Sequence, residues 1–176
     1  MDLSEVSETL WRERELLDVL SFKLEEQGLL LSAGKDRWLA RASREVRVVL
    51  EQIRLTELTR AVEVDAAARD LGLPSGSSLA LLAQAAPAPW NDILRGHRDA
   101  FLQIAEDTLT LATANRELIA TGTVEELVTM SRGLRSLADV EAGRGFTDRS
   151  VRAISYQTSL AATSHVLQLS LTDFLK

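Results

Sequence analysis

The amino-acid sequence predicts an all-α fold, an antiparallel coiled-coil helical bundle of three long helices with shorter helices after them. The 176 residues are 45% hydrophobic but only 5% aromatic, so Leu, Ala and Val carry most of the apolar content, as is typical of helices. These apolar residues recur every three or four positions over long stretches, which is the spacing of one helix face. Glycine or proline stands at the breaks between the stretches.

The first predicted helix covers residues 3–31 and carries a coiled-coil seam. Seven of its apolar residues follow the a/d spacing: Leu3, Val6, Leu10, Leu17, Leu20, Leu24 and Leu31. The polar residues Glu13 and Gln27 interrupt this seam. Further apolar residues widen the stripe, so we expect this helix to pack against more than one neighbour.

Two breaks separate the three long helices. Gly34 can adopt the left-handed conformation that ends a helix, and Asp36 is expected to cap the second helix, predicted over 37–71. So short a turn requires the first two helices to run antiparallel. The second break, at residues 72–76, contains a proline and precedes a short predicted helix over 78–85.

The third long helix is predicted over residues 90–120 and is expected to end at Thr121–Gly122. Thr123 and Glu126 then have the spacing of a capping box, in which each side chain accepts a hydrogen bond from the other residue's backbone amide. A short amphipathic helix is therefore predicted to follow. Its apolar residues are not needed by the long hairpin and are expected to leave a groove open: Val124, Leu127, Val128, Leu134 and Leu137.

A glycine-containing joint at 141–147 divides the chain into a predicted body, residues 1–140, and a predicted tail, residues 148–176. Only four of the 20 basic and three of the 26 acidic residues follow Val140, and this change in composition indicates a separate unit. As a helix, the tail would carry one apolar stripe: Ile154, Leu160, Leu167, Leu171, Phe174 and Leu175. Its hydroxyl-rich surface makes it a poor helix in isolation, so it needs a partner.

Composition disfavours several classes of protein. The absence of Cys excludes disulfides and Cys-based zinc sites. A net charge of -6 without a dense basic cluster argues against nucleic-acid binding. Residues 153–172 carry no charge, but their Ser, Thr, Gln and His side chains argue against membrane insertion. The N-terminus has no order of residues typical of a secretory signal, which favours a cytoplasmic protein.

No group of residues supports catalysis, a cofactor or a metal site. His97 and His165 lie in different units and have no partner at a metal-ligand spacing. Glu125 and Glu126 are explained by helix capping, and no glycine-rich loop follows a strand. The sequence therefore predicts a protein that is not an enzyme.

The segments 10–17 and 22–26 resemble the opening helix of FlgN-family flagellar chaperones. Residues 33–39 are similar to the family's helix–turn–helix, and 115–119 look like its Asn-containing third helix. The similarity covers about residues 3–138. It implies a type III export chaperone that binds the C-terminal amphipathic helices of the hook–filament junction proteins FlgK and FlgL, and that releases them at the export gate protein FlhA.

The tail resembles the C-terminus of the FlgL family, which typically closes with a Ser-Leu-x-Asp-Phe-Leu ending, here residues 170–175. This resemblance implies a client segment joined to its own chaperone. Two origins stay open, a designed fusion, which the abrupt change in composition favours, and a natural tail that mimics the client. The client-binding groove is expected at the end of the body: Leu118, Ile119, Val124, Leu127, Val128, Leu134 and Leu137.

Other interpretations use the same pattern. A structural coiled-coil adaptor with a self-docking tail would also carry these stripes, and a helical enzyme with an unrecognised site is disfavoured by the lack of paired catalytic groups. The tail can reach its own body or a neighbouring copy, and the second arrangement would give a tail-swapped homodimer. Leu167 and Phe174 are the expected anchors of the docked tail.

Overall fold

The computed structural model of the chain describes residues 3–133 and 171–175, with side chains for 3–122, 171 and 173–175. The described residues form five helices and no strand: α1 Leu3–Ser32, α2 Asp36–Asp70, α3 Leu79–Ala85, α4 Trp90–Gly133 and α5 Thr172–Leu175. Helices α1, α2 and α3 lie within one residue of their predicted ranges, and α4 begins at its predicted first residue, Trp90. The all-α prediction is therefore confirmed.

Helix α1 is the centre of the fold because it packs against both α2 and α4, as the width of its stripe predicts. The core includes the largest fully buried side chains: Leu10, Leu17, Leu20, Leu24, Ile53, Leu79, Leu82, Leu94 and Phe101. Contacts such as Lys23 with Glu45 show that α2 runs antiparallel to α1. Helix α4 runs parallel to α1, since its residue numbers rise together with those of its contacts on α1.

The turn between α1 and α2 forms as predicted at its first residue but not at its last. Gly34 has a φ of 61°, and the amide of Lys35 donates to the Leu30 carbonyl at 2.9 Å, so the left-handed residue ends α1. The expected cap by Asp36 is wrong. Lys35 is the N-cap residue and makes no side-chain hydrogen bond there. Asp36 is the first helical residue, and its negative charge interacts favourably with the positive end of the helix dipole.

Helix α4 continues to Gly133, so the predicted helix end at Thr121–Gly122 and the capping box after it are wrong. The Thr121 hydroxyl donates to the Glu117 carbonyl at 2.9 Å, which satisfies this side chain inside the helix. A glycine inside a helix costs only about 1 kcal/mol relative to alanine, so Gly122 alone does not end α4. At 44 residues, α4 is the longest described helix.

Among the helices described by the structure, none has the length and apolar character needed to cross a membrane. The same residues contain no group of three or more His, Asp or Glu side chains placed to hold a metal ion. Residues 134–170 are outside the described part of the chain. The expectations for the joint at 141–147, for His165 and for most of the uncharged stretch at 153–172 therefore stay predictions.

Candidate functional site

The C-terminal helix α5 packs on the body of the same chain. Leu171 and Leu175 are each only 2% exposed and belong to the hydrophobic core cluster, and Phe174 is partly buried against it. Helix α5 contacts α3 and α4. The three described members of the predicted client-like stripe therefore lie together on the body. Ile154, Leu160 and Leu167, the other members, are outside the described residues.

Arg60 joins α5 to the centre of the bundle. This residue of α2 is only 4% exposed, and its guanidinium donates a hydrogen bond to Oε1 of Glu13 on α1. The same guanidinium lies over the ring of Phe174, with its central carbon 4.3 Å from the ring centroid. A cation within about 6 Å of a ring centroid is attracted to the negative face of the ring. Arg60 thus contacts a buried carboxylate and an aromatic ring at once.

Glu13 is fully buried in α1. Burial raises the pKa of its carboxyl to about 7, while the charge of Arg60 acts to lower the pKa and the charge of Glu57 raises it. The Oε2 atom of Glu13 has no hydrogen-bond partner among the described residues. The carboxyl is therefore near the point of gaining a proton at neutral pH, and Arg60 is the group that favours its ionised form.

Arg98 of α4 holds the end of α5. Its Nε donates a hydrogen bond of 2.8 Å to the carbonyl oxygen of Leu175. The last carbonyl groups of a helix have no partner within the helix, and they carry the negative end of the helix dipole. A guanidinium at this point satisfies one such carbonyl. Arg98 therefore fixes where the segment ends along α4.

A cavity of about 330 Å³ lies beside Phe174, between α2 and the connection from α2 to α3. Gly76 in that connection has a φ of 75°, and its amide donates to Oδ1 of Asp65 on α2 at 2.8 Å. This bond is the main reason why the pKa of Asp65 is lowered. The bond holds the connection against α2, so the wall of the cavity is tied to the body.

A second groove, of about 600 Å³, follows one face of α4 and begins one turn beyond Arg98. It is lined by Leu102, Ala105, Glu106, Leu109, Thr110, Thr113, Ala114 and Glu117. This face of α4 was not predicted, because the wider apolar stripe of the same helix forms the core. Leu102 and Leu109 are seven residues apart, with Ala105 between them at helical spacing, and this pattern would have indicated a second apolar stripe.

The structure places the predicted groove residues in different environments. Ile119 is buried in the core, whereas Leu118 is 39% exposed. The side chains of Val124, Leu127 and Val128 are outside the described set, as are Leu134 and Leu137 entirely. Leu118 follows Arg98 by 20 residues, which is about 30 Å along an α-helix. The described part of the tail therefore does not lie beside the predicted groove.

Polar pairs at several levels connect α1 to its neighbours. His97 is buried, its Nε2 lies 3.0 Å from Ser7 Oγ, and its ring packs edge-on against Trp11. Burial, with a smaller contribution from the charge of Arg14, lowers the pKa of His97 to about 4, so the ring is neutral at pH 7. Among the described residues, this serine–histidine pair belongs to no group of three or more His, Asp or Glu side chains that could hold a metal ion.

Asn115 of α4 is also buried and makes two polar contacts with α1. Its Nδ2 donates to the carbonyl of Leu24 at 2.7 Å and lies 3.3 Å from Oε1 of Gln27. A Cβ atom at Gly28 would stand only 2.5 Å from the Asn115 side-chain oxygen. Two polar residues, Glu13 and Gln27, interrupt the apolar seam of α1. They are hydrogen-bonded to polar residues of α2 and α4.

The described end of the chain thus packs three apolar side chains on the helices of the body. The FlgN protein family model matches residues 1–124, which include α1, α2, α3 and most of α4. The chain belongs to the FlgN family, a family of flagellar export chaperones and not of enzymes. No curated protein and no solved structure matches the chain.

Proposed function

We propose that this chain keeps the C-terminal amphipathic helices of the hook–filament junction proteins FlgK and FlgL soluble and competent for export in the cytoplasm. The observation that supports the proposal is the docking of α5. This helix lies at the end of the tail, whose sequence resembles the FlgL C-terminus. Leu171 and Leu175 are buried on the body, and Arg98 binds the carbonyl at the end of the segment. The site therefore takes the end of an amphipathic helix.

The physical need for such a site follows from filament assembly. Terminal helices that pack only in the assembled filament expose apolar stripes beforehand, and exposed stripes invite aggregation. A body that offers a matching stripe covers them without covalent chemistry or a cofactor. Release at the export gate protein FlhA, by competition for the segment, is part of the proposal and rests on the family resemblance.

The groove on α4 supports a longer path for the docked segment. With a rise of about 1.5 Å per residue in both helices, a tail running antiparallel to α4 keeps a constant offset in residue numbers. Leu175 lies at Arg98, so Ile154 would lie level with Ile119. This path follows the groove from Leu102 to Glu117 and reaches the predicted client-binding groove at Leu118.

The division of the chain and its assembly are parts of the same proposal. The body at 1–140, the joint at 141–147 and the tail at 148–176 form a chaperone and a client-like segment in one chain. A designed fusion accounts for the abrupt composition change between them, and a natural self-occupying tail is the alternative. Docking in trans would produce the tail-swapped homodimer, which sedimentation equilibrium distinguishes from a monomer by mass.

A peptide-binding experiment tests the proposed function in the full chain. The chain carries Leu171→Ala to weaken its own tail, and the probe is a fluorescent peptide with the sequence of residues 148–176. We expect saturable binding by anisotropy, and competition by synthetic peptides that end FlgK and FlgL. The matched control peptide carries Leu160→Asp and Leu167→Asp, which remove the stripe but keep the length.

Two outcomes would contradict the proposal. Equal binding of the probe and the control peptide would indicate a coiled-coil adaptor without client specificity. A companion measurement follows hydrogen exchange of the tail in cis, where Leu167→Ala with Phe174→Ala should abolish protection, since each deletion of a large buried side chain costs about 2–5 kcal/mol. Unchanged protection would show that the tail is not docked by its stripe.

A further inference from the structure

We propose that Arg60, held in place by Glu13, selects client segments that carry an aromatic residue three positions after a buried leucine. This inference rests on the proposed function and names the feature of the segment that the site recognises. In α5 the leucine is Leu171 and the aromatic residue is Phe174, whose ring faces the Arg60 guanidinium at 4.3 Å. An aliphatic side chain at the same position has no aromatic ring, so it cannot make this cation–π contact with Arg60.

The position of Arg60 makes this contact selective. Removing a guanidinium from water is costly unless its donors and its charge are satisfied, and Arg60 is only 4% exposed. Glu13 supplies a carboxylate on one side of it. Cation–π attraction is larger for a desolvated cation than for one at an exposed site. A bound aromatic ring therefore gains more here than over an exposed arginine.

Glu13 acts through Arg60 because it does not reach the docked segment in any contact that the structure shows. A guanidinium is a planar fork whose direction is set by the acceptor it binds. Arg60 extends from α2, binds Oε1 of Glu13 on α1 and lies over the ring of Phe174 on α5. The bond to Glu13 therefore fixes the orientation of the guanidinium that faces α5. Glu13 is therefore a positioning residue, and Arg60 is the residue that contacts the ligand.

Arg98 and the neighbouring cavity complete the selection. The bond from Arg98 to the Leu175 carbonyl fixes the axial position of the segment, and in this position Phe174, the residue just before Leu175, lies over Arg60. The cavity of about 330 Å³ beside Phe174 leaves space for a larger ring. The site should thus accept tyrosine or tryptophan in place of phenylalanine, and it should discriminate against leucine.

A double-mutant cycle in the full chain tests the contact. The four chains are the parent, Arg60→Met, Phe174→Leu and the double variant, and hydrogen exchange of the C-terminal peptide reports opening of α5. We expect Phe174→Leu to speed exchange about 3- to 30-fold more in the parent than in the Arg60→Met background, the range of a cation–π contact. The cycle cancels any general loss of stability caused by Arg60→Met.

Matched control variants distinguish the coupling between Arg60 and Phe174 from general changes in stability. Arg47→Met removes an exposed arginine of the same helix and should leave the effect of Phe174→Leu unchanged. Glu13→Leu should remove the coupling between Arg60 and Phe174, whereas Glu13→Gln, which keeps an acceptor oxygen, should restore most of it. His97→Gln weakens another buried polar pair of α1 and should lower stability without changing the coupling.

A second measurement keeps this inference distinct from the proposed function. Two labelled peptides of residues 148–176, one with Phe and one with Leu at position 174, are titrated into the chain carrying Leu171→Ala. Preferential binding of the Phe peptide that disappears with Arg60→Met supports the inference. Equal binding of both peptides, or a cycle with no coupling, overturns it while leaving helix binding intact. Failure of both peptides to bind counts against the proposed function instead.

Discussion

The interior of the body and the α5 site use polar groups in opposite ways. Inside the body, polar side chains of α1 meet polar side chains of its neighbours, as Ser7 meets His97 and Ser21 meets Thr108 at 2.7 Å. At the α5 site, arginines of the body meet an aromatic face and a backbone carbonyl. Each polar contact inside the body needs one specific side chain as its partner, whereas the polar contacts of the site need only an aromatic ring and the carbonyl at a helix end.

Under the proposed function, the interior of the body forms once, whereas the α5 site exchanges its occupant, and this difference in polar contacts fits the two roles. The polar pairs along α1 are spaced unevenly, so sliding α1 by one turn along α2 or α4 would break each pair and leave buried groups without partners. The carbonyl that Arg98 binds is a group that every helix C-terminus supplies. Four experiments test this contrast between the two interfaces.

The first experiment compares two neighbouring residues of α4. Phe101 is fully buried in the body, whereas Leu102 is 44% exposed and lines the α4 groove. Phe101→Ala should lower the unfolding free energy by about 3–5 kcal/mol, while Leu102→Ala should cost less than about 1 kcal/mol. Urea denaturation followed by circular dichroism measures both. Similar costs for the two variants would show that the groove face belongs to the core.

The second experiment uses the pH dependence of stability. Glu13 has its pKa raised from 4.5 to about 7, so between these values the folded chain binds more protons than the unfolded chain, and stability falls as pH rises. His97 has its pKa lowered from 6.5 to about 4, so across that window its contribution rises with pH. The two contributions oppose each other between about pH 4.5 and 6.5.

Single variants should expose each contribution. Glu13→Gln should leave a stability that increases with pH over this window, and His97→Gln should leave one that decreases. Each slope should reach at most about 1.4 kcal/mol per pH unit. Denaturation midpoints at several pH values measure the slopes. Identical profiles for both variants would show that neither group titrates as its burial requires.

The third experiment replaces each of two helical glycines with alanine. Gly28→Ala would place a Cβ 2.5 Å from the Asn115 side-chain oxygen, so we expect a loss of about 1–3 kcal/mol despite the better helix propensity of alanine. Gly96, inside α4, has nothing within 4 Å of the corresponding position. Gly96→Ala should therefore stabilise the chain by about 0.5–1 kcal/mol. Thermal melts compare the two variants. A stabilising Gly28→Ala would mean that Asn115 tolerates displacement.

The fourth experiment addresses the end of α5 alone. Arg98→Met should weaken docking of the segment by about 1–2 kcal/mol, because a charged donor to the Leu175 carbonyl is lost. Faster hydrogen exchange of the C-terminal peptide, with an unchanged melt of the body, is the expected result. Arg95→Met, which removes an exposed arginine paired with Asp92, is the matched control. A lower melting temperature for Arg98→Met would assign Arg98 to the body.

Much of the fold could be predicted because α1, α2 and α3 have breaks that act locally. Gly34 can adopt the left-handed conformation without steric cost, and this local property made the end of α1 predictable. The end of α4 was not, because Thr121 and Gly122 are compatible with both a break and a helix interior. A single glycine costs only about 1 kcal/mol inside a helix, so Gly122 is too weak a signal to mark the end of α4.

The candidate site was predictable only in part. The apolar character of Leu171, Phe174 and Leu175 was visible in the sequence, and these residues are the ones that dock. The contribution of Arg60 and Arg98 was not visible, because a buried arginine and an exposed one look alike until the tertiary contacts are known. Glu13 gave the one available signal, a charge at a seam position that requires a buried partner.

The covalent attachment of α5 has a consequence for any competing client. Only 37 residues separate Gly133 of α4 from Leu171, so the segment can never diffuse far from its site. A tethered ligand of this kind acts at an effective concentration on the order of millimolar. A free client with the same intrinsic affinity would therefore need to approach that concentration to occupy half of the sites. At lower concentrations, a client of the kind that we propose would need contacts that α5 does not make.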